Sequence, residues 1–192
     1  MGGGYLGDAG VFLVDTIVGL YMLVVLLRLL FQMVRADFFN PISQFIVTVT
    51  NPPLVLLRKV IPGFWGIDWA AVFLLFGLAL VKRYLLDSMI GRVPDLSGAL
   101  LLALADVLQL IVYTLIVAVL IRVVLSWIGP RGYHPVVNLL VRITEPVMAP
   151  ARRLIPSMGG LDLSPILVFI VLHLVLRLIV QPLLDYGRVL AG

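Results

Sequence analysis

The sequence contains no cysteine and only two histidines among its 192 residues. Without cysteine, disulfide bonds, thiol nucleophiles, iron–sulfur clusters and zinc sites with cysteine ligands are excluded. Charged residues are also scarce, at 12%, whereas hydrophobic residues make up 62% of the chain. A water-soluble domain of this length needs more polar residues than that to cover its surface. The composition therefore predicts a protein whose surface lies largely in lipid.

Residue patterns typical of enzymes are missing as well. The sequence has no Ser/His/Asp arrangement, no glycine-rich phosphate loop and no HExxH motif, and its acidic residues occur singly near the ends of apolar segments. A pair of histidines in a membrane can hold haem only if they face each other at similar depth. Here His173 falls in the middle of an apolar segment and His134 falls between segments. We therefore predict a protein that is not an enzyme and has no metal or other cofactor.

The formal net charge is +4, from 14 basic and 10 acidic residues. In a soluble protein such an excess is compatible with binding to nucleic acid, but this sequence contains no base-reading element. Basic residues beside apolar segments more often contact the anionic head groups of lipids. The bilayer, and not a nucleic acid, is therefore the expected partner.

Four apolar segments are long enough to cross about 30 Å of hydrocarbon as helices. Turn signals containing glycine and proline follow the second and third segments. The sequence thus predicts an all-α polytopic membrane protein with four transmembrane helices. The predicted spans are 11–34, 69–90, 99–128 and 164–184.

The connectors that follow the first and third spans are predicted to form amphipathic helices at the membrane surface. Each begins with a short apolar segment, ISQFIVTVT or VVNLLVRIT, that is too short to cross the membrane. A Thr-x-Pro sequence follows, and we expect its proline to start a second short helix that ends before the next proline. The connectors are 35–68 and 129–162, with the paired prolines Pro52 and Pro62, and Pro146 and Pro156.

The two halves of the chain are related by an internal repeat. With a shift of 94 residues, ten of the 41 positions from 28 to 68 are identical, and most of these are Pro, Gly, Arg, Asp and Thr. Because each repeat contains two spans, both repeats enter the membrane from the same side and are parallel. The predicted repeats are residues 1–95 and 96–192.

The distribution of charge predicts the orientation of the protein. The connectors and the adjoining span ends hold nine basic and four acidic residues, whereas the opposite side holds five basic and six acidic ones. Basic residues are enriched on the cytoplasmic side of membrane proteins. We therefore expect the connectors in the cytoplasm and both termini outside.

The end of each connector carries two basic residues and an acidic residue. Cations near a helix C-terminus are favoured by its dipole, and their long side chains reach phosphates, so these residues are interfacial anchors or a specific site for anionic lipid or a partner protein. The acidic residue precedes a span, where it caps the next helix or pairs with the arginine that ends the previous span. The basic residues are Arg58, Lys59, Arg152 and Arg153; the acidic ones are Asp68 and Asp162; the arginines are Arg28 and Arg122.

Charges inside the spans are costly unless they face the helix bundle and are paired. Asp15 lies at a depth close to that of Lys82 and Arg83, and Asp106 at a depth close to that of Arg177. We expect one ion pair across the helices of each repeat. Such pairs orient helices, or alternatively line a path for ions or protons.

The doubled pattern of an Asn-Pro or His-Pro opening, T-x-P, R-[KR]-x-I-P and G-x-D resembles the YggT/YlmG family of small polytopic membrane proteins. The resemblance covers about residues 10 to 185. It implies a bacterial inner-membrane protein with relatives in chloroplast membranes. It also implies a role tied to osmotic tolerance, to the cell envelope or, in plastids, to the assembly of a haem-bearing cytochrome complex.

Two functional hypotheses follow. The first is a non-enzymatic membrane scaffold or assembly factor that acts in envelope or osmotic-stress homeostasis through its connectors, together with a membrane-protein partner or a second copy of itself. The alternative is a small oligomeric ion transporter or channel that uses the charges within the spans. An intramembrane enzyme ranks last, because the sequence offers no nucleophile.

Overall fold

The structure is a computed structural model, and it describes residues 3–36, 40–128, 135–155 and 162–192. In these residues the chain is almost entirely helical, because long apolar segments satisfy all their backbone hydrogen bonds internally only as helices. The helices are α1 (Gly3–Met33), α2 (Pro41–Leu57), α3 (Trp69–Met89), α4 (Leu96–Ile128), α5 (Pro135–Leu154), α6 (Ser164–Val175) and α7 (Gln181–Ala191), with a π-helical segment, Leu176–Val180, between α6 and α7.

Four stretches of helix are long and apolar enough to cross a membrane. They are α1, α3, α4 and the continuous run from α6 to α7. The prediction of an all-α protein with four transmembrane helices is therefore confirmed. Helices α1 and α4, of 31 and 33 residues, are longer than the predicted spans, since each begins before the residue at which the span was expected to start.

The last span is interrupted where the sequence approaches Pro182. Proline lacks the N–H that an α-helix needs, and a π-helical turn is one way to accommodate the missing hydrogen bond. The N–H of Gln181 bonds to the carbonyl of Leu176, five residues earlier. Arg177 lies on this segment and its side chain is exposed.

In its described residues, each connector contains one helix, and not the bent pair of short helices that we expected. Helix α2 continues through Pro52 and Pro53, and helix α5 continues through Pro146 and Pro150. The expected breaks at Pro52 and Pro146 are therefore wrong, and the physical reason lies in the side chains described below. Pro62 lies beyond the end of α2, whereas Pro156 is outside the described residues.

Small side chains allow the spans to pack closely. Ala79 of α3 and Ala103 of α4 are fully buried in one cluster with Met22 and Leu26 of α1. A β-carbon on Gly98 of α4 would lie 2.3 Å from the backbone of α7, so only glycine fits there.

A further apolar cluster lies at the end of α1, where the two connector helices meet. It contains Phe31 of α1, Ile46 of α2, and Leu139 and Ile143 of α5. Both connectors therefore lie at the same end of the bundle, as parallel repeats require.

Candidate functional site

The arginine near the end of the first span holds the first connector helix. The side chain of Arg28 is only 6% exposed, and its Nη1 donates to the carbonyl of Val47 (3.1 Å), to Oγ1 of Thr50 (2.6 Å) and to Oδ1 of Asn51 (2.9 Å). A buried charge is tolerated only when hydrogen bonds replace its hydration, and these three bonds do so. We call Arg28, Thr50 and Asn51 the first clamp.

The second repeat contains the same arrangement. Nη1 of Arg122 donates to Oγ1 of Thr144 (2.7 Å) and to the carbonyl of Val141 (3.4 Å), and Nη2 donates to Oε2 of Glu145 (2.9 Å). The sequence separation between arginine and threonine is 22 residues in both repeats. We call Arg122, Thr144 and Glu145 the second clamp.

The connector helices continue through proline because a buried face runs past it on both sides; in α2 this face includes Ile46, Thr50 and Leu54. Thr50 donates to the carbonyl of Ile46 (2.6 Å), and Thr144 donates to the carbonyl of Leu140 (2.7 Å), each four residues earlier. A proline inside a helix removes an N–H and costs about 3 kcal/mol. The carbonyl that the first of the two inner prolines leaves without an N–H donor lies two residues further along each helix than the one that the hydroxyl contacts. Packing of the buried face therefore holds the helix together where sequence rules predicted a break.

An ion pair fastens the end of the first connector to the start of the next span. Arg58, the C-cap residue of α2, pairs with Asp68, which is only 5% exposed. Asp68 is the N-cap residue of α3, and its carboxylate accepts from the N–H of Ala71 (3.4 Å). We call this pair the first latch. The alternative that paired Asp68 with Arg28 is wrong, because Arg28 is turned toward Thr50 and Asn51.

The second latch joins Arg152 to Asp162. Nε of Arg152 lies 3.2 Å from Oδ2 of Asp162, and the other carboxylate oxygen accepts from the N–H (2.9 Å) and the hydroxyl (2.5 Å) of Ser164. The N-cap residue of α6 is Leu163, so Asp162 precedes the cap position itself. Pairing of Asp162 with Arg122 is also wrong, because Arg122 binds Glu145 instead.

The hydrogen bonds of the second latch stabilise the ionised form of Asp162. Burial raises the pKa of this carboxyl, but the hydrogen bonds from Ser164 and Arg152 and the charge of Arg152 outweigh burial. The pKa of Asp162 therefore lies below its ordinary value.

The second clamp and the second latch are joined by a carboxylate, whereas the first pair is not. Glu145 accepts from Arg122 (2.9 Å) and also from Nη1 of Arg152 (3.1 Å). The corresponding residue of the first repeat is the neutral Asn51. One network of four charged groups thus runs from α4 through α5 to Asp162.

The other two basic residues predicted as a binding site lie beside the latches. Lys59 follows the end of α2, and Arg153 lies in the last turn of α5; both side chains are exposed. They are related by the repeat, so each connector presents one exposed cation beside a latched arginine.

The charges within the spans form two pairs, but not one in each repeat. Nζ of Lys82 lies 3.0 Å from Oδ1 of Asp15, as expected for the first repeat. Asp106 binds Arg83 through both carboxylate oxygens, at 3.0 and 2.9 Å. The expected pair of Asp106 with Arg177 is therefore wrong, because α4 presents Asp106 to α3 of the other repeat. Arg177 is exposed, near His173, whose Nδ1 contacts the carbonyl of Phe169.

Sequence reasoning missed the acceptors of the clamps. Thr50 and Thr144 were identical in the repeat alignment, 22 residues after an identical arginine, which was the available signal. Asn51 and Glu145 gave no such signal, because they differ. The importance of that difference appears only when the arginines are seen to reach them.

Comparison with known proteins follows the same division into two repeats. A family model described as CCB3/YggT matches the chain over residues 8–89 and again over residues 101–183. An uncharacterised protein of Pseudomonas aeruginosa is 41% identical over 180 residues, covering 93% of this chain and 91% of that protein. The uncharacterised protein YggT of Escherichia coli K12 is 34% identical over 179 residues, covering 93% of both.

A chloroplast YlmG homologue of Arabidopsis thaliana is 45% identical over 53 residues, or 28% of this chain and 21% of that protein. No solved structure matches the chain. The family model covers most of the sequence, and two bacterial relatives match it almost from end to end. Together with the four spans and the doubled clamp, these matches confirm the resemblance seen in the sequence: the chain belongs to the CCB3/YggT family.

Proposed function

We propose that the protein is a non-enzymatic scaffold of the bacterial inner membrane. Its two connector helices, on the cytoplasmic face, contact anionic head groups and a membrane-protein partner. In line with the family resemblance, we propose that it acts in envelope assembly or in the response to osmotic stress. The orientation rests on the excess of basic residues around the connectors.

The observation that supports this proposal best is the repetition of clamp and latch. Each connector helix is fastened near its middle, by Arg28 or Arg122, and at its C-terminal end, through Arg58 or Arg152. Rigid presentation lowers the entropy lost on binding, so fixed helices suit a docking surface.

The connectors also present side chains suited to an interface with lipid or protein. Exposed apolar residues of the first connector, including Leu56 (65%) and Val60 (81%), lie beside the exposed Lys59. Leu154 (74%) lies beside Arg153 in the second. Apolar side chains flanked by cations are typical of helices that lie at the head-group level.

Site-specific photo-crosslinking in native membranes tests the scaffold. A photoreactive residue at Leu56 or Leu154 should capture a defined membrane protein, and the same residue at Leu178, exposed in the last span, should not capture it. Charge reversal by Lys59→Glu with Arg153→Glu should reduce the captured amount at least fivefold. Arg92→Glu, an exposed cation at the opposite end of the bundle, is the matched control.

Substitution of Lys59 and Arg153 is preferred to that of Arg58 and Arg152, which hold Asp68 and Asp162 in place. Equal capture of the same protein from the connectors and from the last span would contradict the scaffold proposal. So would capture that the charge reversal leaves unchanged.

The alternative function, a small oligomeric ion transporter or channel, rests on the charges within the spans. Both carboxylate oxygens of Asp106 accept from Nη2 of Arg83, which favours a structural role for this pair. Purified protein in liposomes should therefore show no ion flux. Flux that Asp106→Asn or Asp15→Asn alters would establish the alternative.

A further inference from the structure

We propose that the cavity lined by Arg28 and Arg58 binds a phosphate oxyanion, which provides the negative charge that Glu145 provides in the second clamp. The ligand is a lipid head group or free phosphate, which share this chemistry. The inference deepens the proposed function, since it gives one connector a specific ligand.

The first argument is the charge balance of two otherwise matched sites. The second clamp and latch contain two arginines, Arg122 and Arg152, and two carboxylates, Glu145 and Asp162, which sum to zero. The first clamp and latch contain Arg28 and Arg58 but only Asp68, which leaves a net charge of +1. One negative charge present in the second repeat is missing from the first.

The second argument is that the missing charge has a defined position. Glu145 and Asn51 occupy equivalent places, each 23 residues after the clamp arginine that donates to it. In the second repeat the Glu145 carboxylate bridges the clamp arginine and the latch arginine, at 2.9 and 3.1 Å. In the described part of the chain, Arg28 forms no ion pair. An anion between Arg28 and Arg58 would restore the bridge.

The third argument is space. A cavity of about 660 Å³ opens beside the first clamp, and both Arg28 and Arg58 line it. Gln32, Gln44 and Thr48 lie around the same cavity and add polar groups to its wall. Its volume lies within the usual range for small-molecule sites, about 300–1,000 Å³.

Arginine chemistry favours phosphate over other anions of this size. The planar guanidinium can donate two parallel N–H bonds to the oxygens of a phosphate. Two arginines that line one cavity can bind the same phosphate from two sides. Arg28 is buried and already fixed by three hydrogen bonds, so little side-chain entropy is lost when a ligand binds. The cavity lies where the connector meets the span end, which is the expected level of lipid phosphates.

The repeat supplies its own pair of test variants. Asn51→Glu copies the second clamp into the first, so an internal carboxylate neutralises Arg28 beside the cavity and removes the excess positive charge. Glu145→Asn copies the first clamp into the second and should create a second site. Asn51→Gln keeps the neutral amide and is the matched control.

Native mass spectrometry of the full chain released from nanodiscs counts the bound lipids. The discs contain phosphatidylcholine with or without phosphatidylglycerol. The wild type and Asn51→Gln should retain one phosphatidylglycerol, Asn51→Glu none, and Glu145→Asn two. A parallel titration with inorganic phosphate, read by thermal stabilisation in detergent, uses sulfate and chloride for comparison.

A lipid head group is the ligand if only phosphatidylglycerol binds, and free phosphate is the ligand if inorganic phosphate binds and competes. In each case Asn51→Glu should weaken binding at least tenfold. The proposal is overturned if the wild type binds no anion in any arm, or if Asn51→Glu binds as the wild type does. If Asn51→Glu does not fold, failure of Glu145→Asn to gain a second ligand overturns it.

Failure of the anion-site proposal can be distinguished from failure of the scaffold proposal. Asn51→Glu leaves the exposed Lys59 and Arg153 unchanged, so capture of a partner from the connectors should persist. Loss of the anion with retained capture supports both proposals separately.

Discussion

The two clamps use the same arginine and threonine at the same spacing, yet they differ in the residue that follows the threonine. Asn51 leaves the first clamp with an excess positive charge, whereas Glu145 neutralises the second. The parts that hold the connector helix are thus the same in both repeats, and the part that sets the charge has diverged. The two repeats thus hold their connector helices in the same way but differ in the net charge of the clamp.

The connector helices show the same divergence on a larger scale. Helix α2 contains no charged residue, whereas α5 contains Arg142, Glu145, Arg152 and Arg153. Nη1 of Arg142 even reaches the backbone carbonyl of Arg35 at the end of α1 (3.0 Å). The second connector therefore also joins the two repeats through a charged side chain, whereas α2 contains no charged side chain that could do so.

Replacement of the clamp arginines should have the largest effect on stability, and the loss should differ between the two repeats. Arg28→Ala loses three hydrogen bonds from a charged donor and leaves a cavity, so we expect the free energy of unfolding to fall by about 2–4 kcal/mol. Arg122→Ala should cost less, about 1–2 kcal/mol, because Glu145 keeps its bond to Arg152. Thermal or denaturant unfolding in detergent measures both. Arg188→Ala, which breaks an exposed pair, is the control, and equal losses for Arg28 and Arg122 would contradict the comparison.

Removal of the latch arginines should have an intermediate effect, again larger in the first repeat. Arg58→Ala leaves the Asp68 carboxylate, 5% exposed, without its cation, so we expect a loss of about 2 kcal/mol. Arg152→Ala should cost less than about 1 kcal/mol, because Glu145 and Asp162 are 42% and 43% exposed and retain contact with solvent. The same unfolding measurements apply, and a larger loss for Arg152→Ala would reverse the proposed order.

The smallest effect concerns the pH dependence of the second latch. The folded protein lowers the pKa of Asp162, so this group stabilises the fold above its unfolded pKa of about 3.9 and loses that contribution as the pH falls below it. Between pH 5 and pH 3 the melting temperature should therefore fall less in Asp162→Asn than in the wild type. Asp185→Asn, in α7, serves as the control. If the melting temperatures of the wild type and of Asp162→Asn fall equally, the second latch does not contribute to this pH dependence.

Much of the architecture was accessible from the sequence, because it depends on apolar length and on the repeat. The four spans, the family and the position of the connectors followed from those two signals. The continuity of α2 and α5 did not, because rules for proline describe an isolated helix and omit the packing of a buried face such as Ile46, Thr50 and Leu54, which continues past Pro52. The partner of Asp106 was also missed, since depth along a span restricts which residues can meet but not which neighbouring helix a side chain faces.

The short sequence separations of the clamps bear on how the chain assembles. The residues of each pair are close in sequence: the separation is 22 residues for Arg28 and Thr50, 23 for Arg83 and Asp106, and 22 for Arg122 and Thr144. Contacts close along the chain are entropically the easiest to form. Each arginine therefore meets its acceptor soon after it is synthesised, while later spans are still being made. We expect the protein to fold during membrane insertion in the order of its sequence, one repeat after the other, so that none of these three arginines remains long in the bilayer without a partner.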